Sequence, residues 1–173
     1  MVKVESRVQI DRSLATVFGY LAQPQKWPEW LDGILDASLE GAESLSQGSR
    51  VRLIIKFLGR RFEATGQVIE YRQDDRIGMQ VLSGPFPMSW RYRVEEVDGR
   101  TILTTTLEGE PGSFFAIAGP LLKPVLQRHF DDDHATLKAL MELRAPIARD
   151  FPDSPSSDRR YRWPKTTRLE DQP

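Results

Sequence analysis

The chain has 173 residues, a formal net charge of −1, 28% charged residues and no cysteine. That is enough for one domain with its own core, and the balanced charge gives no reason to expect a nucleic-acid or anionic-membrane partner. Disulfides, thiolate metal sites and cysteine nucleophiles are excluded; no apolar run approaches the ~20 residues of a membrane span, and no signal-peptide pattern opens the chain, so a soluble cytoplasmic protein is expected.

Val2, Val4, Val8 and Ile10 alternate with Lys3, Arg7 and Gln9, which predicts a first strand. Asp11 or Ser13 can cap a helix whose apolar face is Leu14, Val17, Phe18 and Leu21. Pro24 and Pro28 restrict the next stretch, through Trp30, to turns or a second short helix. A strand of weak alternation is expected from Ile34 to Glu43, and Gln47-Gly48 marks a turn. In Ser49 to Phe57 the positions Val51, Leu53, Ile55 and Phe57 face one way, against Arg50, Arg52 and Lys56. Gly59 permits the reversal into a strand from Arg61 to Tyr71, and Asp74-Asp75 turns it into Ile77, Met79 and Val81. A strand from Phe86 to Glu95, the hairpin signal Asp98-Gly99 and a β-branched run from Thr101 to Leu107 complete an antiparallel meander. One of its faces is apolar and the other charged, as expected when only one side meets a core.

After Gly109 to Gly112 comes the apolar stretch Phe114 to Leu122, either a hydrophobic lid or a plug for the open end of the sheet. Pro120 should start, and Pro124 kink, a helix reaching about Arg144. Residues 145–173 are rich in Pro, Ser, Asp and Arg and poor in aliphatics, which reads as a mobile tail. Its cluster Arg159-Arg160-Tyr161-Arg162-Trp163-Pro164-Lys165 is either solvated or a docking segment.

The inward sheet face offers no carboxylate, imidazole or lysine; the Tyr92 phenol and the Trp90 indole are its obvious hydrogen-bonding side chains. It is either an ordinary packed core or one wall of an apolar ligand pocket. In the second case the lining is Leu53, Ile55 and Phe57 from one strand, Phe62 and Val68 from the next, then Met79, Val81, Met88 and Trp90. The last helix adds Leu122, Leu126 and Phe130, whose stripe continues to Leu137 and Leu140 with Val125, Met141 and Leu143 on its flanks. Asp133 falls inside that stripe, with His129 one turn earlier. The pair suits general acid-base work at a cavity wall, with Tyr92 as a third candidate catalytic group. Alternatively both groups reach solvent at the pocket mouth, or Asp133 binds an arginine. Asp131, Asp132, Asp133 and His134 point in different directions on a helix, so no metal is expected, and no nucleotide or other cofactor motif is present.

The element order, Trp27 and Trp30 about Pro28, the strand entry Gly48-Ser49-Arg50-Val51 and Leu137-Lys138 late in the last helix together resemble the START-like (SRPBCC) superfamily, in its polyketide cyclase/dehydrase branch. The resemblance implies an α+β helix-grip fold over residues 1–144: a curved antiparallel sheet wrapped around a long C-terminal helix, with two short helices after the first strand. It implies that Trp27 and Trp30 close one end of the sheet, and that a cavity lies between sheet and helix. The function it suggests is binding of a small hydrophobic or amphipathic molecule: a lipid, an isoprenoid or an aromatic polyketide-like compound. A cyclase/dehydrase-type lyase or isomerase without cofactor, and a protein-interaction module, are the alternatives.

Overall fold

The computed structural model describes residues 2–57, 59–84, 88–109 and 113–143. Strand β1 (Val2–Ile10) leads into helix α1 (Leu14–Leu21), a 3-10 helix (Pro24–Glu29) and strand β2 (Ile34–Glu40). Strands β3 (Arg50–Phe57), β4 (Arg60–Arg72), β5 (Arg76–Ser83), β6 (Met88–Val97) and β7 (Arg100–Gly109) follow, and helix α2 (Ser113–Leu143) ends the described chain. The seven strands form one antiparallel sheet in the order β1-β7-β6-β5-β4-β3-β2. This is the expected helix-grip architecture. The tail at 145–173, with its basic-aromatic cluster, lies outside the described residues.

Local chemistry fixes the elements that frame the interior. Ser13 caps α1, its hydroxyl accepting from the Thr16 amide at 3.4 Å. At the other end Trp27, fully buried, donates its indole N–H to the Leu21 carbonyl at 2.9 Å, one of the carbonyls a helix end leaves unpaired. β2 ends at Glu40, three residues before the expected Glu43, where Gly41 turns the chain at a φ of 68°. The hairpin turns at Asp74 and Asp98-Gly99 carry the positive φ values that short β-turns need. Gly66 leaves room for the Met79 side chain across the strand pair: a Cβ there would come 2.8 Å from Met79 Cε, so that methyl would have to move.

Helix α2 departs from expectation at its start. It begins at Ser113 and runs through Pro120 and Pro124, so Pro120 does not initiate it. Pro120 cannot donate to the Ala116 carbonyl, nor Pro124 to that of Pro120, so both lost bonds lie along one line of the helix. Further along, α2 covers the free edge of β1. Gln127 donates to the Glu5 carbonyl at 2.9 Å and Lys138 to the Gln9 carbonyl at 2.7 Å, pairing edge acceptors that could otherwise recruit another strand. Val125 and Leu143, expected on the flanks of the apolar stripe, are exposed, whereas Leu137 and Met141 are buried.

Candidate functional site

The inward face of the sheet is closed at one end and opens toward the other. Val51 and Leu53 on β3, Ala64 and Val68 on β4, Met79 on β5, and Tyr92 and Val94 on β6 are buried. Moving toward the β3–β4 turn and the start of β6, Ile55, Phe62, Met88 and Trp90 are only half-buried. Leu126 and Phe130 of α2 are half-buried too. Of the expected lining, Leu53, Val68, Met79 and Val81 thus sit in the core, while Ile55, Phe62, Met88, Trp90, Leu126 and Phe130 form the more open part. The side chains of Phe57 and Leu122 lie outside the described residues. Two cavities delimited by described residues lie elsewhere. One is a surface cleft of about 340 Å³ among Arg12, Ala15, Thr16, Gly19, Tyr20, Gln23 and Met141. The other is a crevice of about 10 Å³ beside Ile69, Ser89, Trp90, Arg91, Thr106 and Glu108. Neither contains the polar interior groups that could act on a ligand, apart from Trp90.

Those groups gather beside the Trp27–Trp30 segment. The rings of Trp30 and Tyr92 are 5.8 Å apart, and those of Trp27 and Trp90 meet edge-on at 6.3 Å. Trp30 is 2% exposed, and its indole nitrogen and that of Trp90 are buried without a hydrogen-bond partner among the described residues. The Trp90 indole lies near enough to the Tyr92 phenol to favour its ionised form slightly, but short of hydrogen-bond geometry. Tyr92 itself is 3% exposed. Burial, and then the Asp133 carboxylate, push its pKa far above the usual phenol range, so it stays a neutral O–H.

Asp133 is buried, at 4% exposure, as its place in the apolar stripe implies. Its partner is a backbone amide, since Oδ1 accepts from the Asp32 N–H at 3.1 Å. Burial raises the carboxyl pKa, the Asp32 amide and His129 offset part of the rise, and the Asp32 and Asp132 charges add to it. His129 Nε2 lies 3.7 Å from Asp133 Oδ2, but its side chain is 40% exposed. A Cβ on Gly33 would come 3.6 Å from that nitrogen, so the imidazole rests on the loop before β2. The expected trio therefore divides: Tyr92 and Asp133 are interior neighbours, and His129 is at the rim.

His134 is the residue that periodicity did not single out. It is 2% exposed and lies between Ser6 on β1 and Thr105 on β7, which are register partners. Its Nδ1 is 2.9 Å from Ser6 Oγ and its Nε2 is 2.7 Å from Thr105 Oγ1. The Ser6 hydroxyl donates to Asp131 Oδ1 at 2.6 Å. With that proton committed, His134 Nδ1–H must donate to Ser6, and Nε2 must accept from Thr105; the tautomer follows from the network. Burial lowers the His134 pKa to about 4, against a smaller opposing effect of Asp131, so the ring is neutral. The signal was present in the sequence: position 134 is four residues after Phe130 and three before Leu137, hence also inside the stripe. No group of three His, Asp or Glu side chains converges on a metal-sized site among the described residues.

The family model described as "Polyketide cyclase / dehydrase and lipid transport" matches residues 1–142. The chain belongs to this family. Solved structures share its fold at low identity. A START superfamily protein from Mycobacterium smegmatis is 18% identical, with a TM-score of 0.66 over 82% of this chain and 97% of its own. A protein from Thermus thermophilus is 13% identical, with a TM-score of 0.70 over 84% and 100%. The Zhui aromatase/cyclase from Streptomyces sp. R1128 is 18% identical, with a TM-score of 0.66 over 84% and 96%. No curated protein matches the chain in sequence. Among the described residues, no helix is long and apolar enough to cross a membrane.

Proposed function

We propose that the protein binds a small hydrophobic or amphipathic molecule (a lipid, an isoprenoid or an aromatic polyketide-like compound) between the inward sheet face and α2. The observation that carries this reading is the pair of buried indole N–H groups, on Trp30 and Trp90, that have no acceptor among the described residues. Leaving a buried donor unpaired is costly, and a bound molecule supplies the missing acceptor. The half-buried apolar side chains Ile55, Phe62, Met88, Leu126 and Phe130 would take its apolar body. Family membership supports the same reading, since lipid transport is part of the family's description. Native mass spectrometry of freshly purified full-length protein tests it. A co-purified hydrophobic mass, depleted when Trp30 and Trp90 are both replaced by Phe, is expected. Protein that carries no such mass, and takes up none of a panel of lipids, isoprenoids and aromatic ketones, would refute it.

A second reading, a cyclase/dehydrase-type lyase or isomerase, is favoured by one further observation. A buried carboxylate, Asp133, stands beside a neutral phenol, Tyr92, with His129 3.7 Å away at the rim. Asp133 would take the proton, Tyr92 would donate a hydrogen bond to developing charge on oxygen, and His129 would exchange the proton with solvent. Asp133→Asn separates the readings: ligand binding survives, whereas proton exchange at carbon in a bound ketone is abolished.

A further inference from the structure

The interior polar groups fall into two sets. Ser6, Thr105 and Tyr92 occupy one row across β1, β7 and β6, because Thr105 is the register partner of both others. His134 takes up the hydroxyls of Ser6 and Thr105, so that end of the row is internally paired. At the other end the Trp30 and Trp90 N–H groups are unpaired, and Asp133 is the buried carboxylate among the described residues. No Lys or Arg is buried among the described residues.

We propose that the ligand's buried polar group is a neutral oxygen acceptor, a carbonyl or a hydroxyl, held by the Trp30 and Trp90 N–H groups beside Tyr92, and that Asp133 turns carboxylate ligands away. This rests on the ligand-binding reading above. Each of the three other ligand chemistries leaves something unsatisfied. A pure hydrocarbon supplies no acceptor to either indole. A carboxylate accepts from both, but is buried without a cation and beside a second carboxylate. An ammonium would suit Asp133, yet it has no lone pair to offer and meets two N–H dipoles by their positive ends. A ketone or alcohol oxygen satisfies both donors at no charge cost, and an alcohol can also donate toward Asp133.

The orientation follows. The oxygen lies deep, against the row of Tyr92, and the apolar part extends past Trp90 toward Met88, Phe62 and Ile55, where the inward face opens.

The test is isothermal titration of the full chain at pH 8 with 2-nonanone, nonanoate and nonylamine. The ketone should bind at least tenfold more tightly than either charged probe. Trp30→Phe, which keeps a ring in place, should weaken ketone binding about tenfold, the equivalent of one hydrogen bond of about 1.4 kcal/mol. Asp133→Asn should narrow the preference for the ketone over nonanoate about tenfold. Circular dichroism of each variant checks that the fold is retained. Nonanoate binding as well as the ketone, or a Trp30→Phe variant with unchanged ketone affinity, overturns the selectivity while leaving ligand binding standing. If none of the three probes binds, and the protein also takes up none of the larger compounds named under the proposed function, ligand binding itself fails and the selectivity falls with it.

Discussion

His134 should make the protein lose stability in mild acid, and the size of the loss follows from its surroundings. The ring is buried and neutral, with a pKa lowered from 6.5 to about 4. A group with a depressed folded pKa binds more protons when the chain is unfolded, so its contribution is complete above pH 6.5 and lost as the pH falls toward 4. At 1.36 kcal/mol per unit, the loss is about 1.4 kcal/mol by pH 5.5 and about 3 kcal/mol by pH 4. Other carboxylates also titrate there, so the comparison that isolates the residue is wild type against His134→Gln. Gln can still meet Ser6 and Thr105 but carries no titrating proton. Urea unfolding at pH 7, 5.5 and 4 should show the variant less stable at pH 7, with the gap narrowing by about 3 kcal/mol at pH 4. Parallel curves across that range, or an NMR titration placing the His134 pKa near 6.5, would refute the reasoning.

The two tryptophans of the Trp-Pro segment should behave differently. Trp27→Phe leaves the Leu21 carbonyl without its 2.9 Å donor and should cost about 2 kcal/mol or more, whereas Trp30→Phe removes an N–H that has no partner and should cost about 1 kcal/mol less. Urea midpoints in the reverse order would contradict the assignment of their roles. Asp133→Asn should gain on wild type as the pH rises from 3 to 8. The Asp133 carboxyl has a raised folded pKa, so its favourable contribution exists at low pH and is lost as the group ionises. Asn keeps an acceptor for the Asp32 amide, and a stability gap that moves the other way with pH would count against a buried charge at this position.

Most of the fold was legible because it rests on local rules. Period-two alternation located the strands, and its phase assigned Leu53, Val68, Met79 and Tyr92 to the interior, where they lie. The start of α2 was not legible, because a proline read as a first-turn residue cannot be told from one inside a helix by its sequence neighbours alone. The site was partly legible. The stripe on α2 exposed Asp133 as an anomaly, but its partner is the Asp32 amide, and backbone amides carry no sequence signature. His134 belongs to a network of Ser6, Thr105 and Asp131 drawn from three elements, so its role depends on a register that only the folded sheet supplies. Trp30 looked like packing, and its ring does pack on Tyr92; what the sequence could not display is an indole N–H with no acceptor.

That difference between Trp27 and Trp30 bears on what the interior is for. If both ends of the inward face were ordinary core, Phe at positions 30 and 90 would fill nearly the same space without burying two unpaired donors. Elsewhere in the interior the rule of satisfaction holds: His134 pairs both of its nitrogens and Trp27 pairs its N–H. The rule fails at Trp30 and at Trp90, and Trp90 lies where Ile55, Phe62 and Met88 are also less covered than their neighbours on the same strands. Two independent departures from core-like packing, one in hydrogen bonding and one in burial, thus meet at Trp90. A ligand that brings one neutral oxygen and an apolar body corrects both at once, whereas further side-chain packing would correct only the second.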